Sequence, residues 1–200
     1  MADEKKHKQR INGKSIVLVI LLFAVILGFY MSTSGGKKNE KKDDEFTILK
    51  EKNIEDSYPE TPREVVKLYG RIVKCIYGKD MTSDKVEALV NQLRVLFDEE
   101  LLEENPLEMQ LQALDYDLKN FYENKEVIFN YEVNKNSLVT GKVDGIESAT
   151  VELSFSLRKD KEYARSKELF LLRQDSDGKW KIVGWQLIKK EDKSKSAKEK

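Results

Sequence analysis

Hydrophobic residues are distributed along this chain in three successive patterns. The first is an unbroken apolar run that opens at Ser15 and closes at Gly36, carries no charge, and is bracketed by Lys14 and Lys37. The second begins at Thr61 and has a helical period. Thr61-Pro62-Arg63-Glu64 has the form of a capping box, with Thr as N-cap, Pro at the first helical position and Glu two further on. Val65, Leu68, Tyr69, Ile72, Cys75 and Ile76 then share one face, and Gly78 is a stop signal. A second helix is expected from Ser83, with Val86, Leu89, Val90, Leu93, Leu96 and Phe97 inward. It runs on through Asp98-Glu99-Glu100 and ends before Pro106. Asn105-Pro106 opens a third, striped by Leu107, Leu111, Leu114, Leu118 and Phe121.

The third pattern has period two. Residues 126–134 alternate Val127, Phe129, Tyr131 and Val133 with mostly polar partners, and 138–143 form a shorter strand before an Asp144-Gly145 turn. Residues 149–159 place Ala149, Val151, Leu153, Phe155 and Leu157 on one face and polar side chains on the other. Two last strands, 167–174 and 179–189, flank the turn Asp175-Ser176-Asp177-Gly178. Both of their faces carry apolar residues: Leu169 and Leu171 oppose Phe170 and Leu172, while Trp180 and Ile182 oppose Val183 and Trp185. Such strands are expected at the centre of a sheet or against a partner. Three helices and about five antiparallel strands make an α+β layer fold.

The first run sets the location. As a helix it spans about 33 Å, which matches a bilayer core of about 30 Å, and the lipid bilayer is the partner expected for it. A cleaved signal peptide is an alternative, with Ser32-Thr33-Ser34 as the one candidate site. A buried soluble helix is another, although the run lacks a polar face. No cysteine follows it directly, which excludes a lipoprotein anchor. Lys5, Lys6, Lys8, Arg10 and Lys14 precede the run and four lysines follow it before residue 46. This small asymmetry favours a cytoplasmic N-terminus and an extracytoplasmic C-terminal domain. The expected organisation is a cytoplasmic tail (1–14), a single-pass anchor (15–36), a flexible stalk (37–57), a folded domain (58–190) and a disordered charged tail (191–200).

Charge changes this picture little. The chain has 36 basic and 36 acidic residues, and the domain alone is slightly acidic with no basic patch, so nucleic acid is not an expected partner. Cys75 is the single cysteine, so no intramolecular disulfide or Cys-rich metal site forms. Its place beside Leu68 and Ile72 reads as a small buried apolar residue.

The order of these boxes carries a resemblance. Asp177-Gly178-Lys179-Trp180-Lys181-Ile182-Val183-Gly184-Trp185 resembles the closing hairpin of the nuclear-transport-factor-2-like (cystatin-like) cone fold, and the helix from Thr61 to Tyr69 resembles its first helix. Lys74-Cys75-Ile76-Tyr77, the stretch Leu96-Phe97-Asp98-Glu99-Glu100-Leu101-Leu102 and Asn105-Pro106-Leu107 are similar to a clostridial family of single-pass, membrane-anchored proteins of that fold, one with no assigned activity. The resemblance covers about residues 58–190. One departure is the lack of a hairpin between helices before Glu126. The resemblance implies a fold and a location, but no reaction.

Candidate chemistry is sparse. His7, the single histidine, precedes the apolar run, so the domain has none and the usual Ser-His-Asp, Cys-His and His-metal arrangements fall away. The run Asp98, Glu99, Glu100, Glu103 and Glu104 reads as a solvated helix end. Asp175-Ser176-Asp177-Gly178 begins like a calcium loop but lacks the later Glu. Asp115, Tyr116 and Asp117 could bring one carboxylate near a cavity, although exposure is the default. No catalytic residue, metal site or cofactor is assigned. The cone fold often encloses a pocket between helices and sheet; Tyr69, Tyr77, Phe97, Tyr131, Phe155 and Trp185 are the aromatics expected to line it, with ordinary core packing as the alternative.

Three functions fit. The first is a non-catalytic domain outside the membrane that binds a small ligand, an envelope protein, or a second copy through the two-faced strands. The second is a component of an envelope-spanning secretion or conjugation assembly, by fold-level analogy. The third is an isomerase or dehydratase of the same fold, which needs acid–base groups in its cavity.

Overall fold

The computed structural model describes residues 44–188. The expected anchor, cytoplasmic tail and charged C-terminal tail lie outside them. Among the described residues no helix is long and apolar enough to cross a membrane. Within residues 44–188 five helices precede five strands: α1 (Glu45–Lys50), α2 (Pro62–Ile76), α3 (Ser83–Arg94), α4 (Glu99–Glu104), α5 (Leu107–Glu123), β1 (Glu126–Val133), β2 (Val139–Val143), β3 (Ile146–Lys159), β4 (Glu162–Gln174) and β5 (Trp180–Leu187). The architecture is α+β, a five-stranded antiparallel sheet with helices packed on one face.

The folded part starts before the expected residue 58. Asp44 caps α1 by accepting from the Thr47 amide at 2.8 Å. Leu49 and Ile54 are fully buried in the core, and Arg71 grips Glu45 with two hydrogen bonds of 2.6 and 3.1 Å. The Tyr58 hydroxyl donates to the Trp180 carbonyl at 2.8 Å. Residues 44–57 are therefore packed domain rather than stalk. Two isolated apolar anchors are too few to show a period, which is why this stretch reads as polar linker in the sequence.

Helix α2 has the predicted capping box, with the Thr61 side chain and Glu64 exchanging bonds across the first turn. Its apolar stripe lies on the sheet, and at Gly70 the two surfaces nearly touch. A Cβ at residue 70 would lie 2.8 Å from the Tyr131 ring and 3.1 Å from a Leu153 methyl. Alanine improves helix propensity by about 1 kcal/mol, yet overpacking costs about 1–3 kcal/mol. Gly70→Ala is expected to lower unfolding free energy by about 1 kcal/mol in urea titrations. An increase would show that the helix can lift off without loss.

Helix α3 stops at Arg94 instead of continuing through the acidic run. Residues 96–98 extend along the free edge of β5, with Ile182 N–H donating to the Leu96 carbonyl at 2.8 Å and Asp98 N–H to the Ile182 carbonyl at 2.9 Å. Helix propensity loses here to two edge hydrogen bonds and to burial of Leu96 and Phe97. Asp98 then caps α4, accepting from the Glu100 amide at 3.1 Å. Asn105 does not cap α5. Its amide donates to the Leu101 carbonyl at 3.0 Å, closing α4, and Pro106 precedes α5 with no side-chain cap.

The sheet runs β1-β3-β4-β5, and β2 also pairs with β3. β1 and β2 lie end to end on β3, since Val133 faces Leu153 and Val139 faces Thr150. The break between them is held by Ser137, whose hydroxyl accepts from the Glu152 amide at 2.8 Å, and by Asn134, which donates to the Glu152 carbonyl at 2.9 Å. Asp144 and Gly145 turn β2 into β3 with φ of 52° and 84°, the left-handed pair that a two-residue hairpin requires. β4 begins at Glu162, five residues before its apolar part, because β3 and β4 extend as an exposed polar hairpin.

Two β-bulges revise the expected strand faces. In β1, Ile128 pairs with Leu157 and Asn130 with Ser156, so Phe129 is the extra residue. Ile128, Tyr131 and Val133 pack inward, while Phe129 turns outward and stacks edge-on against Tyr163. In β5, Leu172 pairs with Ile182 and Leu171 with Gly184. Trp185 therefore shares the helix-facing side with Ile182 instead of opposing it. A bulge inserts one residue and resets a period of two, which strict alternation cannot anticipate. The outer face near the last strands keeps Leu169, Leu171 and Val183, a smaller apolar set than the alternation predicts, flanked by a Lys167–Glu152 pair at 2.9 Å.

Candidate functional site

Between α2, α3, α5 and the inner face of the sheet lies a cleft of about 640 Å³. Five of the six expected aromatics line it: Tyr69 and Tyr77 from α2, Phe97 from the bridge, Phe155 from β3 and Trp185 from β5. Each is delivered by an element already accounted for. The helical stripe brings in the two tyrosines, the edge bridge turns Phe97 inward, and the β5 bulge brings Trp185 over. The rings form two groups. Trp185 stacks on Phe170 with centroids 5.7 Å apart and meets Tyr69 at 5.4 Å and Phe97 at 5.9 Å. Tyr77 meets Phe121 edge-on at 4.8 Å. Trp185 remains 41% exposed, so it forms part of the mouth.

Tyr131 is not in this cleft. It packs beneath Gly70 and lines separate depressions beside Arg71 and Cys75 and beside Arg63 and Lys67. The close crossing of α2 at Gly70 covers it there.

Of the polar groups of the cleft, the sequence singled out only Asp117, within Asp115-Tyr116-Asp117. They are Asp117 and Gln110 from α5, Glu126 from β1, and Ser166 and Glu168 from β4. The Tyr77 hydroxyl donates to Asp117, and burial followed by that carboxylate drives its pKa far upward. Tyr69 is also pushed up by burial. Both phenols stay protonated and neutral. Glu168 Oε2 is buried, and among the described residues no group donates to it. Burial raises the Glu168 carboxyl to about 7. One signal for it existed: Glu168 is in step with Phe170 and Leu172, on the inward register of β4. Asp115 instead stays exposed, paired with Lys119 at 2.6 Å.

The other sequence candidates have structural partners. Asp98 is buried against Arg173, with bonds of 2.8 and 2.6 Å, so it is no solvated helix end. Asp175 spends its carboxylate on the Asp177 and Lys179 amides at 2.9 and 2.8 Å, as a turn residue does. Among the described residues no group of His, Cys, Asp and Glu is placed to hold a metal. Cys75 is half-buried, and burial raises its thiol pKa, which is contrary to the needs of a nucleophile.

Comparison with curated proteins returns no match. Among solved structures, the intermembrane space region of the chloroplast protein ARC6 aligns with a TM-score of 0.31 and 15% identity, over 63% of this chain and 92% of that one. A likeness that weak carries no argument. The sequence model of a domain of unknown function, DUF6715, matches residues 1–185. That span takes in both the apolar run and nearly all of the folded part, and the chain belongs to the DUF6715 family.

Proposed function

We propose that this chain is a single-pass membrane protein, anchored by residues 15–36, that holds a nuclear-transport-factor-2-like cone domain outside the cytoplasm as a non-catalytic small-ligand-binding module. The observation that carries the binding reading is the cleft itself, about 640 Å³ with walls dominated by aromatic and aliphatic side chains and few polar groups. Ligand sites have this build. The anchor reading is supported by the length and uniform apolarity of the run, and by a family match that includes it. Helices followed by an antiparallel sheet accord with the cone reading.

The two tryptophans give a direct test, because Trp185 lines the cleft and Trp180 packs elsewhere, beside Tyr58. Full-length protein in lipid nanodiscs, ¹⁵N-labelled at tryptophan, is titrated with the neutral probe 4-phenylbutanol. The Trp185 indole resonance is expected to move saturably while that of Trp180 stays fixed. Two unmoved resonances, or two that move together, would defeat the binding reading. Protease added outside protoplasts tests the location: the domain should be digested without lysis.

An acid–base enzyme of the same fold is the second reading, favoured by Glu168 and Asp117 on the cleft wall. It requires turnover of the bound molecule.

A further inference from the structure

Every titratable side chain on the cleft wall is either a carboxylic acid or a phenol: Asp117, Glu126, Glu168, Tyr69 and Tyr77. Among the described residues neither lysine, arginine nor histidine lines it. An aromatic wall with acids and no base attracts a positive charge in two ways. Ring faces draw cations through their quadrupole, and carboxylates pair with them through charge-assisted hydrogen bonds. We infer that the ligand is an amphiphilic organic ammonium ion, whose apolar body lies against Trp185, Tyr69 and Phe97 and whose N–H group bonds the Glu168 carboxylate. This inference rests on the binding reading above and adds the class of ligand to it.

The geometry supports that arrangement. Glu168 projects from the middle of β4, between Leu153 on β3 and Leu187 on β5. The aliphatic neighbours offer its buried oxygen nothing to bond. An anion would meet three acidic side chains with no counter-charge among the described residues, and an apolar body without a donor would leave the Glu168 carboxyl unsatisfied. Tyr69 and Tyr77 from α2 lie near enough to Glu168 to feel its charge, and Asp117 from α5, Glu126 from β1 and Ser166 from its own strand share the cleft wall with it. The two phenols remain neutral below pH 10, so Glu168 sets how the wall charge changes near neutrality.

Three probes with one frame separate the alternatives: 4-phenylbutylamine, 4-phenylbutanol and 4-phenylbutanoate, each titrated at pH 8 into the full chain in nanodiscs and followed at the Trp185 indole. The amine is expected to bind at least tenfold tighter than the alcohol, and the carboxylate weakest. Amine affinity should rise about tenfold from pH 5.5 to pH 8, while alcohol affinity does not rise. Glu168→Gln should abolish the amine's advantage over the alcohol; near-UV circular dichroism confirms that this variant is folded. An alcohol that binds as well as the amine would overturn the cation inference and leave the binding reading intact. So would a Glu168→Gln protein that retains the full preference. If none of the three probes moves Trp185, both fall.

Discussion

Replacing Arg173 with alanine is expected to cost about 3–5 kcal/mol of unfolding free energy, the usual penalty for leaving a buried ion unpaired. Arg173 holds Asp98 through Nε and Nη2 at 2.8 and 2.6 Å, and reaches Glu100 at 2.9 Å. Asp98 is only 5% exposed. It does three jobs at one place: it caps α4, its amide bonds the β5 edge, and its carboxylate faces the guanidinium. Loss of Arg173 strands that carboxylate among buried neighbours and loosens the stretch that closes the sheet edge. The pH dependence identifies the cause. Burial pushes the Asp98 carboxyl up, but Arg173 and the Glu100 amide outweigh it and hold the group below the usual carboxylate range. A depressed carboxyl contributes stability above its unfolded pKa of about 3.9, and loses it as pH falls through the lower folded value. The gap between wild type and Arg173→Ala in urea titrations should therefore be widest near pH 7 and shrink below pH 4. Adding Asp98→Asn to Arg173→Ala should recover part of the loss, because Asn still caps α4 without burying a charge. A gap independent of pH would trace the effect to lost packing of the arginine stem.

Asp98 also shows where the sequence is legible and where it is not. Helix α2 is readable from Thr61 to Ile76 because capping, propensity and an apolar stripe agree over four turns. β3 is readable for the same reason, with its alternation unbroken over the paired part. The stretch 95–98 is not, because an apolar run leading into acids fits a continuing helix. Only the exposed edge of β5, some 85 positions further along, makes an extended bridge the better solution. Local signals lose wherever a long-range partner is waiting. The same holds for residues 44–57, whose few apolar side chains have meaning only against α2 and α3.

The cleft was half legible. Its rings could be named because large aromatics at inward positions follow from periodicity, and the one ring outside it, Tyr131, is inward as expected but covered by the close crossing of α2 at Gly70. The bulge in β5 has the larger consequence. It turns Trp185 to the inner face, enlarging the aromatic wall and removing the largest apolar side chain from the outer face. The case for pairing through the sheet is correspondingly smaller than strict alternation makes it. Of the acids, Asp117 was legible only as one of a triplet, and Glu126 and Glu168 not at all, since a carboxylate within a charged sequence looks solvated. Glu168 lies between Lys167 and Leu169, and only the register of β4 sends it inward.

Glu168→Gln is expected to stabilise the protein at pH 8 by about 3 kcal/mol, the free energy that corresponds to a carboxyl raised from 4.5 to about 7. The sign follows from which form burial favours. The folded state prefers the neutral acid, so its contribution is fully present below the unfolded pKa of about 4.5 and is lost as pH rises through about 7. Wild-type stability should fall between pH 5 and pH 8, and the glutamine variant should be flat over that window. The two should converge near pH 4, where the protonated acid and the amide differ little in size and charge. Asp98 titrates below this range and the buried phenols above it, so the window isolates Glu168. Equal slopes in the two proteins would mean that the Glu168 carboxylate reaches solvent. A side chain that costs stability at neutral pH, in a wall where leucine or glutamine would fit the register, is placed there at the expense of the fold. Titratable groups strained in this way concentrate at functional sites. An ammonium ligand that restored the lost stability at pH 8, raising the midpoint of wild type and not of Glu168→Gln, would tie the cost to its use.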